Sequence, residues 1–183
     1  VAAVVLAAGG GTRFEGPVHK LLAPFRGRPL ALWAVEAAVG AGLDETIVVT
    51  GAVDLEAVLP DGITILANHD WASGQASSLR TAVAWAQHRG HSAIVVGLGD
   101  QPLVPASAWA AVAACTSPIA VAILEGERRP PTRLGAEMWS FLPVTGDVGA
   151  RTLIARMPDL VTEVACEGHP IDVDTLEDLE RWS

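Results

Sequence analysis

The chain reads as an α/β protein, with a mostly parallel sheet covered by helices on both faces. Two observations predict this. Short apolar runs alternate with helix-length stretches from one end of the sequence to the other. The first apolar run empties into three consecutive glycines, Gly9-Gly10-Gly11, as a buried strand does when it reaches a sheet edge. The length of 183 residues suits one domain around one core. Half the residues are apolar and only 5% are aromatic, so that core is built mainly from Ala, Val and Leu.

The elements follow in order. Val1–Ala7, Thr46–Thr50, Ile63–Ala67, Ala93–Leu98, Ile119–Leu124 and Val161–Ala165 are predicted strands. Leu30–Val39, Ser77–Gln87, Ser107–Ala114 and Val148–Arg156 are predicted helices. Pro29 and Pro105 suit helix starts, and Gly42 and Gly90 suit helix ends. Thr175 and Asp178 have capping-box spacing before a last helix that ends near Trp182. Glu127–Gly135, with Arg128-Arg129-Pro130-Pro131, is expected to leave the layered core as a binding loop. His88 and His91 flank a helix end and read as surface residues, and the six tryptophans are dispersed as packing residues.

Composition excludes several classes. A net charge of −9 argues against a nucleic-acid partner, though local cations and a divalent metal still allow a nucleotide. Glycines and charges interrupt every apolar run before membrane-spanning length, and no basic stretch introduces a secretory signal. Cys115 and Cys166 stand far apart without metal-like spacing, which predicts reduced thiols in a cytoplasmic protein.

Three clusters carry chemistry. The first is Leu6-Ala7-Ala8-Gly9-Gly10-Gly11-Thr12-Arg13, followed by Lys20-Leu21-Leu22. Backbone without Cβ atoms can turn its N–H groups onto an anion, and Arg13, His19 and Lys20 stand within reach. The dinucleotide fingerprint is broken, because Phe14 stands where a third glycine is needed. The Walker loop is absent too, since Pro17 follows Gly16 and Leu21 follows Lys20. An anion cradle and a bare glycine-rich connection both remain open here. The second cluster is Gly99-Asp100-Gln101-Pro102, at the carboxyl end of a buried strand, where Asp100 is either a Mg²⁺ ligand or a turn and helix cap. The third is Asp172-Val173-Asp174, whose alternation puts both carboxylates on one side, either around a divalent cation or at the Thr175 helix cap. Gly74 to Arg80 and Gly146 to Arg151 each combine a turn, a helix start and a cation. They suit either a nucleotide or plain N-capping.

Taken together, these motifs resemble the molybdenum-cofactor nucleotidyltransferases, in family order and over nearly the whole chain. The likeness rests on Leu6 to Arg13, Lys20-Leu21-Leu22 with Pro24, Gly99 to Val104, and Ile171-Asp172-Val173-Asp174-Thr175. Asn68-His69-Asp70-Trp71 with Gly74 to Leu79, and Gly146-Asp147-x-Gly149-Ala150-Arg151, are similar to the cytidylyltransferase branch. The resemblance implies a single-domain, three-layer αβα fold across 1–183. The fold would be Rossmann-like and of glycosyltransferase-A type, with a mixed, mostly parallel sheet and nucleotide across its carboxyl edge. It implies transfer of CMP from CTP to the terminal phosphate of molybdopterin, with release of pyrophosphate. Lys20, Arg13 and Asp100 would be catalytic. Leu6, Ala7, Ala8, Gly9, Gly10 and Gly11, with Asn68, Gly74, Ser77 and Ser78, would join Arg13 and Lys20 around the nucleotide. Mg²⁺ would sit on Asp100 with Asp174 or Asp172. Gln101, Pro131, Arg133 and Arg151 would face the acceptor, and Arg128 and Arg129 suit the same anionic partner.

The residues agree with that chemistry. Two anions must meet, so cations and a metal have to screen them, and no protein nucleophile is required. The resemblance associates Leu-Ala-Ala-Gly with cytidylyl and Leu-Ala-Gly-Gly with guanylyl transfer, and an Ala8 methyl near the base would disfavour a bulkier purine. Three departures from the pattern stand out: the long segment Phe14 to His19, Leu176 after Thr175, and Thr132-Arg133 after Pro131. Other acceptors, such as a sugar or polyol phosphate, keep the same fold. A non-catalytic protein that delivers a cofactor to an apo-molybdoenzyme is the alternative from another class.

Overall fold

A computed structural model describes residues 1–147 and 149–183. Seven strands form one sheet: β1 (Ala2–Ala7), β4 (Glu45–Thr50), β5 (Thr64–Ala67), β6 (Ala93–Leu98), β7 (Ile119–Leu124), β8 (Glu127–Gly135) and β9 (Val161–Ala165). Their order is β5-β4-β1-β6-β8-β7-β9. A two-stranded hairpin, β2 (Pro24–Phe25) and β3 (Arg28–Pro29), stands apart. Around the sheet lie α1 (Leu30–Gly40), α2 (Gln75–His88), α3 (Ala106–Ala114), α4 (Arg151–Arg156) and α5 (Leu176–Trp182).

The β5-β4-β1-β6 half is wholly parallel. All six residues of β1 are buried, as expected for a strand with helices on both sides. Alternate side chains feed two cores. Ala3, Val5, Val48 and Val95 pack under α1 and α3 with Trp109. Val4, Val49, Ile94 and Val96 pack under α2 with Leu79 and Leu153. Each predicted strand and helix is present, with ends moved by a residue or two except at α4. Val148, where that helix was expected to begin, lies outside the described residues, and helix is present from Arg151.

The largest departure is β8. Glu127–Gly135 is not an excursion from the core. It is an antiparallel strand between β6 and β7. Glu125 and Gly126 both have positive φ, 49° and 85°, and make the tight turn that folds β8 back on β7. Pro130 and Pro131 argued against a strand because neither can donate to a ladder. The pairing steps around them: Val121 faces Thr132, the next residue Ala122 faces Arg129, and the two prolines fall in the register shift.

A third, smaller core explains the long segment before Lys20. Phe14 is buried with Phe25, Leu30, Val173 and Leu179. This cluster pins the segment and the last helix against the body of the fold. Thr175 caps α5 as predicted. Its hydroxyl oxygen accepts from the Asp178 N–H at 3.1 Å, and the Asp178 carboxylate accepts from the Thr175 N–H at 3.0 Å.

Candidate active site

The carboxyl ends of β1 and β6 open onto a cleft of about 720 Å³. Leu6, Gly9, Gly11, Arg13 and Lys20 line one side, with Asp100, Asp172 and Asp174 beside them. Arg128, Arg129, Pro130 and Thr132 of β8 and Arg151 of α4 complete it. The size suits a nucleotide-scale ligand.

The glycine turn is open to this cleft. Among the described residues, no N–H from Gly9 to Arg13 donates a hydrogen bond within the chain, whereas the Phe14 N–H closes the turn on the Gly11 carbonyl at 2.9 Å. Gly11 needs to be glycine. Its φ is +60°, and a Cβ there would lie 3.2 Å from Lys20 Cγ and 3.3 Å from the His19 ring. His19 is structural: its Nδ1 accepts from the Leu21 N–H at 3.3 Å, so Nε2 carries the proton and donates to the Gly9 carbonyl at 3.0 Å. Burial and the neighbouring Lys20 charge push its pKa below the usual histidine value.

Lys20 is the centre of the charge. Its ammonium donates to Asp100 Oδ2 at 2.6 Å and to Asp174 Oδ1 at 3.0 Å, with only 10% of the side chain exposed. Burial works against the charge, but the two carboxylates outweigh it and hold the pKa above the ordinary lysine value. Arg13 meets the other Asp174 oxygen at 2.9 Å. Backbone pairing explains how residues so distant in sequence converge. The Gly99 N–H bonds the Leu6 carbonyl, and the Val173 N–H bonds the Asp100 carbonyl, both at 3.0 Å. With Val173 fully buried in the small core, Asp172 and Asp174 both turn into the cleft.

The two aspartates then separate. Asp172 Oδ1 accepts from the buried Gln101 amide at 2.7 Å, and its Oδ2 accepts from Arg129 at 3.3 Å. Burial, then the nearby Asp100 charge, push its pKa upward. Among the described residues, the Asp174 carboxylate meets two cations, Lys20 and Arg13, both of which could leave for a phosphate. Asp100 does not cap α3, whose N-cap is Pro105 with no side-chain cap bond. Instead, Asp100 Oδ1 is buried with no partner at all among the described residues. An orphaned carboxylate oxygen beside a second carboxylate fits a divalent cation, and Mg²⁺ takes one or two carboxylates with phosphate oxygens and water. No cage of three or more such ligands is present among the described residues.

Other expected residues lie elsewhere. Asn68 is buried and donates to Ser77 and Ser78 at 2.8 and 3.0 Å, behind the cleft wall. Gly74 is a close-approach glycine, with φ 111° and room for no Cβ against Gly146. The α2 N-terminus is met by protein: the Ala76 N–H bonds the Gly146 carbonyl and the Gln75 N–H bonds the Asp147 carboxylate. That favours N-capping over nucleotide for this segment. Ala8 does not line the cleft; its methyl lies against Gly51. Gln101 reaches the cleft only through Asp172. Pro131 is buried, and its neighbour Pro130 lines the cleft.

Arg133 is a correction. It was expected at the acceptor, but it shares a row with Val95 and Ala120 on the α3 side of the sheet and donates to the Ser117 carbonyl at 2.5 Å. Strand alternation gives the cleft face to Thr132 instead. His91 is another correction. It is not a surface residue, because its side chain is 11% exposed and bonds Glu45 at 2.6 Å. Thr12, Gln75 and Asp147, which lie inside the motifs read from sequence, also line the cleft, and apolar lining residues such as Val96, Val121 and Ile154 had no site signal in the sequence.

Residues 3–161 match the MobA-like NTP transferase domain. The chain belongs to that family. This MobA-like chain is 34% identical over 199 aligned residues to nicotine blue oxidoreductase of Paenarthrobacter nicotinovorans, covering 99% of this chain and 95% of the relative. It superposes on Rv0371c of Mycobacterium tuberculosis in complex with manganese, with TM-score 0.84, 29% identity, and 99% and 96% of the two chains covered. It also superposes on a nucleotidyl transferase from Methanothermobacter, Mth528, with TM-score 0.81, 27% identity, and 98% and 94% covered. The mixed, mostly parallel sheet of the MobA-like chain is thus that of nucleotidyltransferases.

Proposed function

We propose that this MobA-like protein transfers CMP from CTP to the terminal phosphate of molybdopterin and releases pyrophosphate. The observation that carries the reading is the Lys20 ammonium held between Asp100 and Asp174 directly below an open glycine turn. The free N–H groups of Gly9 to Arg13, with Arg13 and Lys20, would take the triphosphate. A phosphate oxygen of the acceptor attacks the α-phosphorus, the bond from the α-phosphorus to its bridging oxygen breaks, and pyrophosphate leaves with that electron pair. Lys20 and Arg13 offset the charge that collects on the phosphates as the bond breaks. Asp100 and Asp174 would hold Mg²⁺, which when bound screens the phosphate oxygens from the attacking anion. The manganese complex of a relative supports a divalent cation here. Arg129 and Arg151 on the far wall would face the acceptor. The cytidine preference rests on the Leu-Ala-Ala-Gly resemblance, since the Ala8 methyl packs away from the cleft.

The test is pyrophosphate release from each nucleoside triphosphate with Mg²⁺, with and without molybdopterin. Release that needs CTP and molybdopterin together is expected. Release with another phosphorylated metabolite alone would move the acceptor, and release with GTP equal to CTP would overturn the base choice.

A second reading has its own support. The relative matched over 99% of this chain is named an oxidoreductase. On that reading the same cleft would hold a reduced dinucleotide. Oxidation of NADH or NADPH with an added dye as the two-electron acceptor, without pyrophosphate release, would select it.

A further inference from the structure

Four charges meet at the end of β1 and β6, and they cancel. Lys20 and Arg13 are matched by Asp100 and Asp174, through contacts of 2.6, 3.0 and 2.9 Å. These four groups taken together give no net attraction for either a lone triphosphate or a lone metal ion, which leaves a phosphate only the glycine-turn N–H groups and the farther arginines. A triphosphate that drew the cations away would leave two half-buried carboxylates facing each other. A metal ion on the carboxylates would stand beside an ammonium of like sign. Bound together, the two ligands satisfy all four groups.

The geometry favours an exchange. The carboxylates stand on different connections, after β6 and before α5, and Lys20 spans them with a four-carbon stem whose root is fixed in the short turn Lys20–Leu22. That root is held against Gly11 and His19, while only the ammonium reaches the aspartates. Asp100 Oδ1, buried and without a partner, is a place on the carboxylate that Lys20 does not fill.

We propose that Lys20 is an exchangeable counter-ion: its ammonium keeps the place between Asp100 and Asp174 and leaves it for the triphosphate only as a divalent cation is bound. The inference rests on the triphosphate-and-metal reading of the cleft. It makes Lys20 a competitor of the metal and Asp174 a competitor of the nucleotide. The same residues are partners in the loaded site. Binding of each ligand alone is therefore weakened, and each strengthens the other by the same factor.

Variants separate the two roles when each ligand is offered alone. Mn²⁺ binding followed by electron paramagnetic resonance, without nucleotide, is expected to be at least about tenfold tighter in Lys20→Met than in wild type. CTP binding followed by calorimetry in EDTA is expected to be severalfold tighter in Asp174→Asn, which releases Arg13 and half-releases Lys20. A mutation at a nucleotide-site lysine that improves metal binding is not expected of a merely structural group. Unchanged or weaker Mn²⁺ binding in folded Lys20→Met overturns the exchange. If that variant fails to fold, Asp174→Asn decides: metal-free CTP binding no tighter than wild type overturns it equally. Wild-type protein that binds no CTP even with Mn²⁺ would instead overturn the underlying reading. Wild type that binds the pair, with both variants unchanged towards single ligands, sinks the exchange alone.

Discussion

Two clusters of half-buried charge sit at opposite ends of the same sheet, and only one of them is complete. At the amino end, Glu45 opens β4. Its Oε1 accepts from Thr64 at 2.7 Å and Trp85 at 2.9 Å, and its Oε2 from His91 at 2.6 Å. Both oxygens have partners, and none of these residues lines the cleft at the carboxyl end. At the carboxyl end, Lys20, Asp100, Asp174 and Arg13 are paired too, but Asp100 Oδ1 is left over and a cleft of about 720 Å³ adjoins it. A saturated network stabilises a fold, whereas an unsaturated one at a cleft is ready for a ligand. The contrast predicts opposite phenotypes for substitutions of similar chemistry.

The largest effect is expected at the carboxyl end. Lys20→Ala and Asp100→Ala should each lower turnover by on the order of 10²–10³, read as pyrophosphate release, while circular dichroism stays that of the wild type. A second partner remains in one case, since Lys20 keeps Asp174 when Asp100 is removed, and Asp100 lines the cleft when Lys20 is removed, which limits the loss of stability. Wild-type rates in either folded variant would break the comparison, because the open cluster would then be as structural as the closed one.

The amino end should respond in stability and not in turnover. Burial alone would raise the Glu45 pKa. The hydrogen bonds from His91, Thr64 and Trp85 and the His91 charge outweigh it, and they bring the pKa from 4.5 down to about 2. A carboxylate depressed in the folded state stabilises fully above its unfolded value. That contribution, on the order of 3 kcal/mol by the shift, is lost as pH falls from about 4.5 towards 2. Glu45→Gln should therefore lower urea stability at pH 7 by an amount of that order. It should also flatten the decline between pH 4.5 and 2 and leave turnover within about twofold. A variant as stable as wild type at pH 7 would show that the closed network is dispensable.

The two clusters also differ in how legible they were. The carboxyl end could be read from sequence because its residues follow strand ends. A strand that stops at Leu98 puts Asp100 on the edge where Leu6 puts the glycines, whatever the rest of the chain does. The choice between Asp172 and Asp174 could not be read, since alternation treats them alike. The two differ in the structure through partners of Asp172 that lie 43 and 71 residues away, Arg129 and Gln101. The amino-end network was invisible for the same reason. Glu45, Thr64, Trp85 and His91 share no motif and meet only through the parallel register of β4 and β5 and the end of α2. β8 failed differently. Its local chemistry, two charges and two prolines, opposed a strand, and tertiary pairing on both edges overrode it.

That misreading gives the smallest and most local prediction. Had β8 been a loop, Arg133 and Arg129 would both be free to face the acceptor. As a strand, β8 sends them to different surroundings: Arg129 lines the cleft and bonds Asp172, while Arg133 runs under α3 to the Ser117 carbonyl. Arg133 also carries a buried Nε without a partner, so its removal exchanges one lost hydrogen bond for one relieved donor. Arg133→Met should therefore change stability by no more than about 1 kcal/mol and leave the KM for the phosphorylated acceptor unchanged. Arg129→Met should raise that KM, because the cleft loses the cation and Asp172 loses a partner. The KM separates the faces, since a general loss of packing would lower the amount of active protein and leave KM alone. An Arg133→Met variant whose KM rises as far as that of Arg129→Met would put both arginines at the acceptor and break the alternation through the Pro130–Pro131 register shift.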